Sequence, residues 1–509
     1  MSAEGTLSLH LADERATARL AEDVATVLRP GDLVALSGGL GAGKTTFARA
    51  LLRSLADDPS LEIQSPTFPL RIDHALLRMK VVHADLYRVV GQSELEEIGL
   101  DEALDEGALL VEWPERLSRA LSSERIEIRL EIDGDGRRAE IVCFGSWPRR
   151  FQRSSDIRTF LDGAGWEDAV RTPLAGDASY RAYERVRPSP HSQGKGGDEG
   201  KEAAILMNAP ARAEGLPTYN GRSYDAVAHR AMDVRAFIAI DHGLRRAGIR
   251  APEIFASDVD AGLLLLEDLG NEGILDSAGR PIVQRYEAAI DLLIYMHGRQ
   301  WPVDAPLSDG ARFQIPAYDR EALLVEISLF PDWFGGDGGE PVFPKERRED
   351  FLKEWARLLT TIEGGETTWT LRDFHSPNIL WQRTASGIGR VGVIDFQDAL
   401  LGNPAYDVAS LVQDARADVS PDDERRLKER YIEGRKAQSL LFDARAFERA
   451  YVILGLQRAT KVLGIFTRLA LADGKPGYQR HRARLKALIR RNLADPVLSP
   501  LRLWYEPYL

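Results

Sequence analysis

The feature that most constrains this chain is the run Gly38-Gly39-Leu40-Gly41-Ala42-Gly43-Lys44-Thr45. It fits G-x-x-x-x-G-K-T, directly after an apolar stretch at 32–37 and directly before a helix-forming stretch from about 44 to 56. Glycines at these places let the backbone bend around phosphate oxygens with its N–H groups pointing inward. The helix N-terminus that follows adds partial positive charge. A chain with this pattern has to run a strand into a loop and then a helix, which is the core of an α/β P-loop nucleotide-binding domain. In that setting Lys44 reaches the β- and γ-phosphates of ATP, the Thr45 hydroxyl ligates Mg2+, and Thr46 follows beside them.

The flanking sequence supplies the rest of such a domain. Residues 12–28 carry apolar residues at helical spacing and stop at Pro30-Gly31. Residues 80–84 and 108–112 are short apolar segments ending in polar or acidic residues, as buried parallel strands do where they meet a ligand. Residues 125–132 alternate strictly and pair with 140–144 across the turn at 133–136. Polar residues gather where the strands end: Thr67 in SPTF, Asp85 in HADLYR, and Glu112-Trp113. Carboxylates there can hold Mg2+, hold its waters, or orient an attacking water.

These motifs, GGLGAGKTT, SPTF, HADLYR and VEW, come in this order within about 150 residues and resemble the TsaE family. TsaE is the small ATPase of the bacterial machinery that makes N6-threonylcarbamoyladenosine at tRNA position 37. The resemblance implies ATP hydrolysis coupled to the TsaB and TsaD proteins, with tRNA as an indirect partner. Carried over by motif, it makes Thr45 and Glu112 Mg2+ ligands and Asp85 an organiser of metal or water. Thr67 becomes a γ-phosphate sensor and Trp113 a neighbour of the site. The segment DERAT resembles the family's nucleotide-proximal N-terminus and adds Glu14.

Composition bounds the alternatives. With 509 residues, two to four domains are expected. The net charge of -12 disfavours non-specific binding to a nucleic-acid backbone. Cys143 is the single cysteine, so no intramolecular disulfide can form, which fits a reducing compartment. No apolar run is long enough to span a bilayer and the N-terminus lacks a signal-peptide core, so a cytoplasmic protein with no membrane partner is expected. His10, His74 and His83 give no zinc-ligand spacing.

A second site lies near the C-terminal third. Asp373-Phe374-His375-Ser376-Pro377-Asn378 is D-x-x-x-x-N, and Asp395 closes an apolar strand about 20 residues later. This is the kit of kinase-type phosphoryl transfer. Asp373 accepts or orients the acceptor hydroxyl proton, while Asn378 and Asp395 hold Mg2+ against the phosphates. Upstream, residues 175–181 form a candidate phosphate-covering turn. Residues 263–270 (LLLLEDLG) read as a strand ending in a hinge, where backbone groups near Glu267 and Leu269 would read adenine. Residues 188–200, between two strand-like segments at 179–186 and 203–207, read as a long hairpin insertion.

This half resembles the aminoglycoside-phosphotransferase family. Through GDASYRAYERV, ILMNAP, LLLLEDLG and LRDFHSPNILW it more closely resembles the AmgK-type cell-wall amino-sugar kinases. The resemblance implies phosphorylation of the anomeric hydroxyl of N-acetylmuramate or N-acetylglucosamine. Two positions depart from the wider family. Leu371 stands where a histidine is usual, and the third strand has no lysine at the usual phosphate-pairing place, with Met207 near it and Lys201 just outside. Trp369, Phe374 and Trp381 are candidates for a sugar-stacking face or for core.

The expected architecture is an α/β P-loop domain at 1–147 and a linker at 148–156. An α+β protein-kinase-like bilobal domain follows, with an N-lobe at 157–270 and a helical C-lobe at 271–509. The leading reading is a bifunctional ATPase and sugar kinase. Alternatives are a kinase-like half acting as a non-catalytic regulatory or binding module, and a P-loop domain serving as a nucleotide-gated scaffold.

Overall fold

The computed structural model describes residues 6–76, 78–89, 91–117, 122–174, 180–188, 202–219, 221–307, 310–334 and 343–509. Most of the turn at 175–181, the insertion at 189–200 and Lys201 lie outside the described residues. The chain divides into two compact units. The first holds Met1–Asn208 with Phe255–Asp258 and Leu263–Asp268, and the second holds the remainder.

The first unit starts with β1 (Thr6–Leu11), α1 (Glu14–Val27), β2 (Leu33–Ser37) and α2 (Lys44–Ala56). Next come β3 (Arg71–Ala75), β4 (Lys80–Asp85), α3 (Gln92–Ile98), α4 (Leu100–Glu106), β5 (Ala108–Glu112), β6 (Arg125–Asp133) and β7 (Gly136–Cys143). The seven strands form one sheet in the order β1-β7-β6-β2-β5-β4-β3. β2 pairs in parallel with both β5 and β6, and β4 in parallel with β5. β1, β7 and β3 pair antiparallel at the flanks. Every residue of β5 is buried, as an apolar strand covered on both faces should be. Crossover from β2 to β4 and β5 places the carboxyl ends of all three side by side, where α/β sheets bind ligands.

α5 (Trp147–Gly163) changes the expected boundary, because residues 148–156 lie inside a 17-residue helix and form no linker. Two of the segment's arginines find partners inside the fold: Arg153 Nη2 donates to Asn208 Oδ1 at 2.7 Å, and Arg150 faces a buried carboxylate. Arg150 makes a two-pronged pair with Asp32, Nη1–Oδ2 2.7 Å and Nη2–Oδ1 2.8 Å, and Trp147 is fully buried. Two turns on, Arg158 Nη2 donates to Asp23 Oδ1 on α1 at 2.6 Å.

β8 (Val170–Pro173), β9 (Ala182–Arg187) and β10 (Ala204–Asn208) follow, and all three pair antiparallel. With strands Ile254–Asp258 and Leu263–Glu267 they make the five-stranded sheet of the kinase-like region. This sheet lies in the same compact unit as the P-loop domain. Arg171 of β8, buried completely, donates from Nη1 to Asp23 Oδ1 at 2.8 Å and from Nε to Glu184 Oε2 on β9 at 2.7 Å. Asp23 therefore joins α1, α5 and the second sheet through two buried guanidiniums. Arg187 of β9 also reaches Asp57, the left-handed C-cap of α2, at 3.0 Å.

The second unit is mainly helical. Its longest element, Ala444–Leu471, buries Ile453, Leu454, Leu456 and Leu463 along with several polar residues. Trp369 stacks on Trp301 with ring centroids 4.4 Å apart, and Phe374 is also buried, so both are core and not a sugar-stacking face. Trp381 is half-buried, with Arg285 over its ring at 5.2 Å. Among the described residues no helix is long and apolar enough to cross a membrane.

Candidate functional site

In the first unit the glycines of the loop after β2 do what their positions demand. Gly38 has φ +133°, and a Cβ there would stand 2.1 Å from the Leu130 carbonyl oxygen. Gly43, at φ +107°, caps α2. Both conformations belong to glycine. Leu40 and Gly41 are exposed at the tip and Ala42 is buried beneath it.

Lys44 is buried, and its ammonium donates to the Gly38 carbonyl at 2.7 Å and the Gly39 carbonyl at 3.0 Å. It also lies 3.8 Å from the centroid of the Trp113 ring, a cation–π contact that places Trp113 at the site. Burial lowers the Lys44 pKa, with Glu112, Glu115 and Asp85 pulling the other way.

Thr45 and Glu112 are brought together: the Thr45 hydroxyl donates to Glu112 Oε2 at 3.2 Å. Glu112 Oε1 is 3.0 Å from His83 Nε2 on the neighbouring strand. Both groups are buried. Thr67 and Asp85 are brought together too, the hydroxyl donating to Asp85 Oδ2 at 3.1 Å. Asp85 also accepts the Tyr87 N–H at 3.0 Å, and it sits opposite Glu112 in the β4–β5 register. Two carboxylates and two hydroxyls thus converge beside the loop. Thr46 is half-buried in the first turn of α2. Glu14 stands exposed in the first turn of α1, with no hydrogen bond or ion pair to the loop among the described residues.

Two residues at this site escaped the sequence reading. His83 orients Glu112. Arg137, on β7, donates to the Ala42 carbonyl at 3.1 Å and the Gly41 carbonyl at 3.3 Å, clamping the loop from outside. The β2–β6–β7 neighbourhood places Arg137 there, about 95 residues from its partners.

In the second unit the loop between Leu371 and Asn378 is held from below by Asp407, which is fully buried. Its carboxylate accepts the Leu371 N–H at 2.7 Å and the Arg372 N–H at 3.0 Å, and Ser410 Oγ donates to the Arg372 carbonyl at 3.2 Å. Arg372 takes φ +65° and points inward, pairing with Glu326 and donating to the Ala228 carbonyl at 3.0 Å. Glu326 also accepts from Tyr318 at 2.5 Å, Gln457 at 3.0 Å and Lys461 at 2.7 Å. Burial alone would raise the Glu326 carboxyl, but Lys461 and Arg372 outweigh it and hold it at about 2.

Asp373 and Asn378 are brought together by this loop. Asn378 Nδ2 donates to the Asp373 carbonyl at 3.0 Å and lies 3.5 Å from Asp395 Oδ2. Gln397 Nε2 steadies the other Asp395 oxygen at 2.8 Å. An amide oxygen and a carboxylate, as these two side chains offer, are ligand types that a hard divalent cation takes. Desolvation pushes the Asp373 carboxyl up, yet Lys461, His375, Arg458 and Arg372 hold it well below the ordinary carboxylate range. His375 is itself driven down to about 4 by burial and is neutral at pH 7, so the lasting contributions are those of Lys461 and the two arginines. The hinge residues fall at the end of strand Leu263–Glu267 and just beyond it. The Leu269 carbonyl accepts from Gln382 Nε2 at 3.0 Å. Among the described residues of β10 there is no lysine, and Met207 there is buried.

Comparison with known proteins agrees with this division. The family described as threonylcarbamoyl adenosine biosynthesis protein TsaE matches residues 11–140, and the phosphotransferase enzyme family matches residues 209–448. An N-acetylmuramate/N-acetylglucosamine kinase of Caulobacter vibrioides is 34% identical over 377 residues, 70% of this chain and 97% of that protein. The tRNA threonylcarbamoyladenosine biosynthesis protein TsaE of Rickettsia felis is 37% identical over 130 residues, 26% of this chain and 75% of that protein. Among solved structures, Bacillus subtilis YdiB is 26% identical, covering 30% of this chain and 96% of its own, at a TM-score of 0.26. The chain therefore belongs to two families at once, to TsaE through its P-loop domain and, through the rest, to the phosphotransferase enzyme family that includes N-acetylmuramate/N-acetylglucosamine kinases.

Proposed function

We propose that the chain is a bifunctional cytoplasmic protein. Its P-loop site hydrolyses ATP in support of N6-threonylcarbamoyladenosine formation with TsaB and TsaD. Its second site transfers phosphate from ATP to the anomeric hydroxyl of N-acetylmuramate or N-acetylglucosamine. The observation that carries the kinase reading is the convergence of Asp373, Asn378 and Asp395 on one rigidly held loop system. Asp373 stays ionised and is a weak base. It therefore takes a hydrogen bond from the acceptor hydroxyl and aims it, receiving the proton late in the transfer. Asn378 Oδ1 and the Asp395 carboxylate are the ligands for Mg2+, which when bound neutralises charge on the phosphates. The Leu269 N–H has no acceptor among the described residues, which suits a donor to adenine.

At the P-loop, Thr45 and Glu112 are the Mg2+ ligands, while the Thr67–Asp85 pair orients the attacking water. Lys44, now turned onto its own loop carbonyls, exchanges them for phosphate oxygens. One observation favours the reading of the kinase-like half as a regulatory module: β10 lacks the lysine that would pair the phosphates. Incubating the full chain with ATP and each amino sugar, and following phosphate by 31P NMR, decides between the two. Anomeric sugar phosphate is expected. Intact ATP binding with no transfer to any amino sugar would sink the kinase reading.

A further inference from the structure

Arg137 and Arg138 are neighbours on β7 with different partners. Arg138 donates to Glu131 Oε2 at 2.9 Å, an ordinary exposed ion pair. Arg137 is half-buried and has no carboxylate partner among the described residues. Its guanidinium donates to carbonyls instead: Nε to Ala42 at 3.1 Å, Nη2 to Gly41 at 3.3 Å and Nη1 to Gly136 at 2.7 Å. Gly136 is itself packed tightly, since a Cβ there would stand 2.5 Å from the Leu11 carbonyl oxygen on β1. The start of β7 is therefore locked against β1, and the fork of Arg137 carries that fixed point to the loop.

No cis peptide occurs among the described residues, so the C=O and the N–H of each loop peptide point in opposite directions. Two peptides are thus oriented from outside. Between Gly41 and Ala42, the carbonyl meets Arg137 and the Ala42 N–H turns back onto the Gly39 carbonyl at 3.3 Å. Between Ala42 and Gly43, the carbonyl meets Arg137, and the Gly43 N–H has no acceptor among the described residues. A cation on the carbonyl also polarises the N–H of the same peptide, which strengthens it as a donor. In a loop of this pattern such N–H groups are donors to phosphate.

We infer that Arg137 is a positioning residue of the P-loop, which holds the Gly41 and Ala42 carbonyls outward and so keeps the Gly43 N–H aimed at the β-phosphate of a nucleotide. The inference rests on the P-loop ATPase reading and deepens it. A nucleoside monophosphate has no β-phosphate and gains nothing from this arrangement. Arg137 therefore sets the preference of the site for nucleoside di- and triphosphates. A grip that is equal before and during hydrolysis acts on KM rather than kcat.

The test follows ATP hydrolysis by the full chain without amino sugar, less the hydrolysis left in Lys44→Ala, with ADP and AMP as competing inhibitors. Wild type is compared with Arg137→Ala and Arg137→Lys. In Arg137→Ala, KM for ATP and the inhibition constant for ADP should rise about 10-fold, the scale of one lost hydrogen bond from a charged donor. The inhibition constant for AMP and kcat should stay unchanged. Arg137→Lys keeps a cationic donor for one carbonyl and should recover part of the loss. The ratio of the two inhibition constants cancels any common loss from misfolding. Equal weakening of ADP and AMP, or weakening of neither, overturns the inference. A fall in kcat with both constants unchanged overturns it too, because Arg137 would then act on the transferring phosphate. Each of these results leaves the P-loop reading standing. A wild-type chain without Lys44-dependent hydrolysis overturns both.

Discussion

The Asp23 cluster predicts that the P-loop domain and the kinase-like sheet melt together. Asp23 is 15% exposed and accepts from Arg158 and Arg171, which are 8% and 0% exposed. In Asp23→Ala, Arg171 keeps Glu184 at 2.7 and 3.0 Å and Ser154 Oγ at 3.0 Å. Arg158 keeps only the Ala169 carbonyl at 2.6 Å and becomes a buried guanidinium with no carboxylate in contact. Breaking a buried pair costs about 3–5 kcal/mol, and partial access of water to Asp23 sets the lower end, about 3 kcal/mol. For a unit of this size each kcal/mol moves the midpoint by about 2–4 °C, so a fall of about 6–12 °C is expected. The assay heats the full chain in steps at one fixed rate, cools it, and measures residual ATP hydrolysis and residual sugar phosphorylation separately. Both midpoints should fall by the same amount. A kinase midpoint that stays in place while the ATPase midpoint drops would refute a single folded unit built on Asp23.

Asp407→Ala frees the backbone of Leu371 and Arg372, so Asp373 loses its position; kcat for sugar phosphorylation should fall about 100-fold with KM for ATP little changed, and a loss confined to KM would contradict this. His375 titrates at about 4 in the folded chain and near 6.5 when unfolded. Below pH 6.5 the unfolded state takes up a proton that the folded state refuses, so stability from this residue is complete above pH 6.5 and is lost as pH falls toward 4. Between pH 6.5 and 5 the loss is about 2 kcal/mol, and denaturant midpoints at the two pH values should differ less in His375→Gln. Equal pH dependence in the two proteins would remove His375 as the cause.

What the sequence made legible was contiguous. The eight-residue loop at 38–45, the helix Lys44–Ala56 and the buried strand Ala108–Glu112 are each specified by neighbouring residues, through glycine placement, apolar runs and helix entry. Asp373, Asn378 and Asp395 lie within 22 residues of one another and were readable for the same reason. Illegible features depend on pairs far apart. Arg150 meets Asp32 across 118 positions, Arg158 meets Asp23 across 135, and Arg372 meets Glu326 across 46. A basic run whose partners are that distant reads as a solvated linker, as 148–156 does, although Arg150 is neutralised by Asp32 inside the fold. Asp407, Arg137 and His83 were missed likewise, because each acts on backbone or on a carboxylate brought near only by the sheet or the helical packing.

The proposed function places two independent ATP-using sites in one chain. The most direct measurement assays the full-length Lys44→Ala and Asp373→Ala proteins side by side for basal ATP hydrolysis and for phosphate transfer to N-acetylmuramate. Lys44→Ala should lose the hydrolysis and keep the transfer, and Asp373→Ala should do the reverse. Loss of both activities in either variant, or transfer that survives Asp373→Ala, would contradict it.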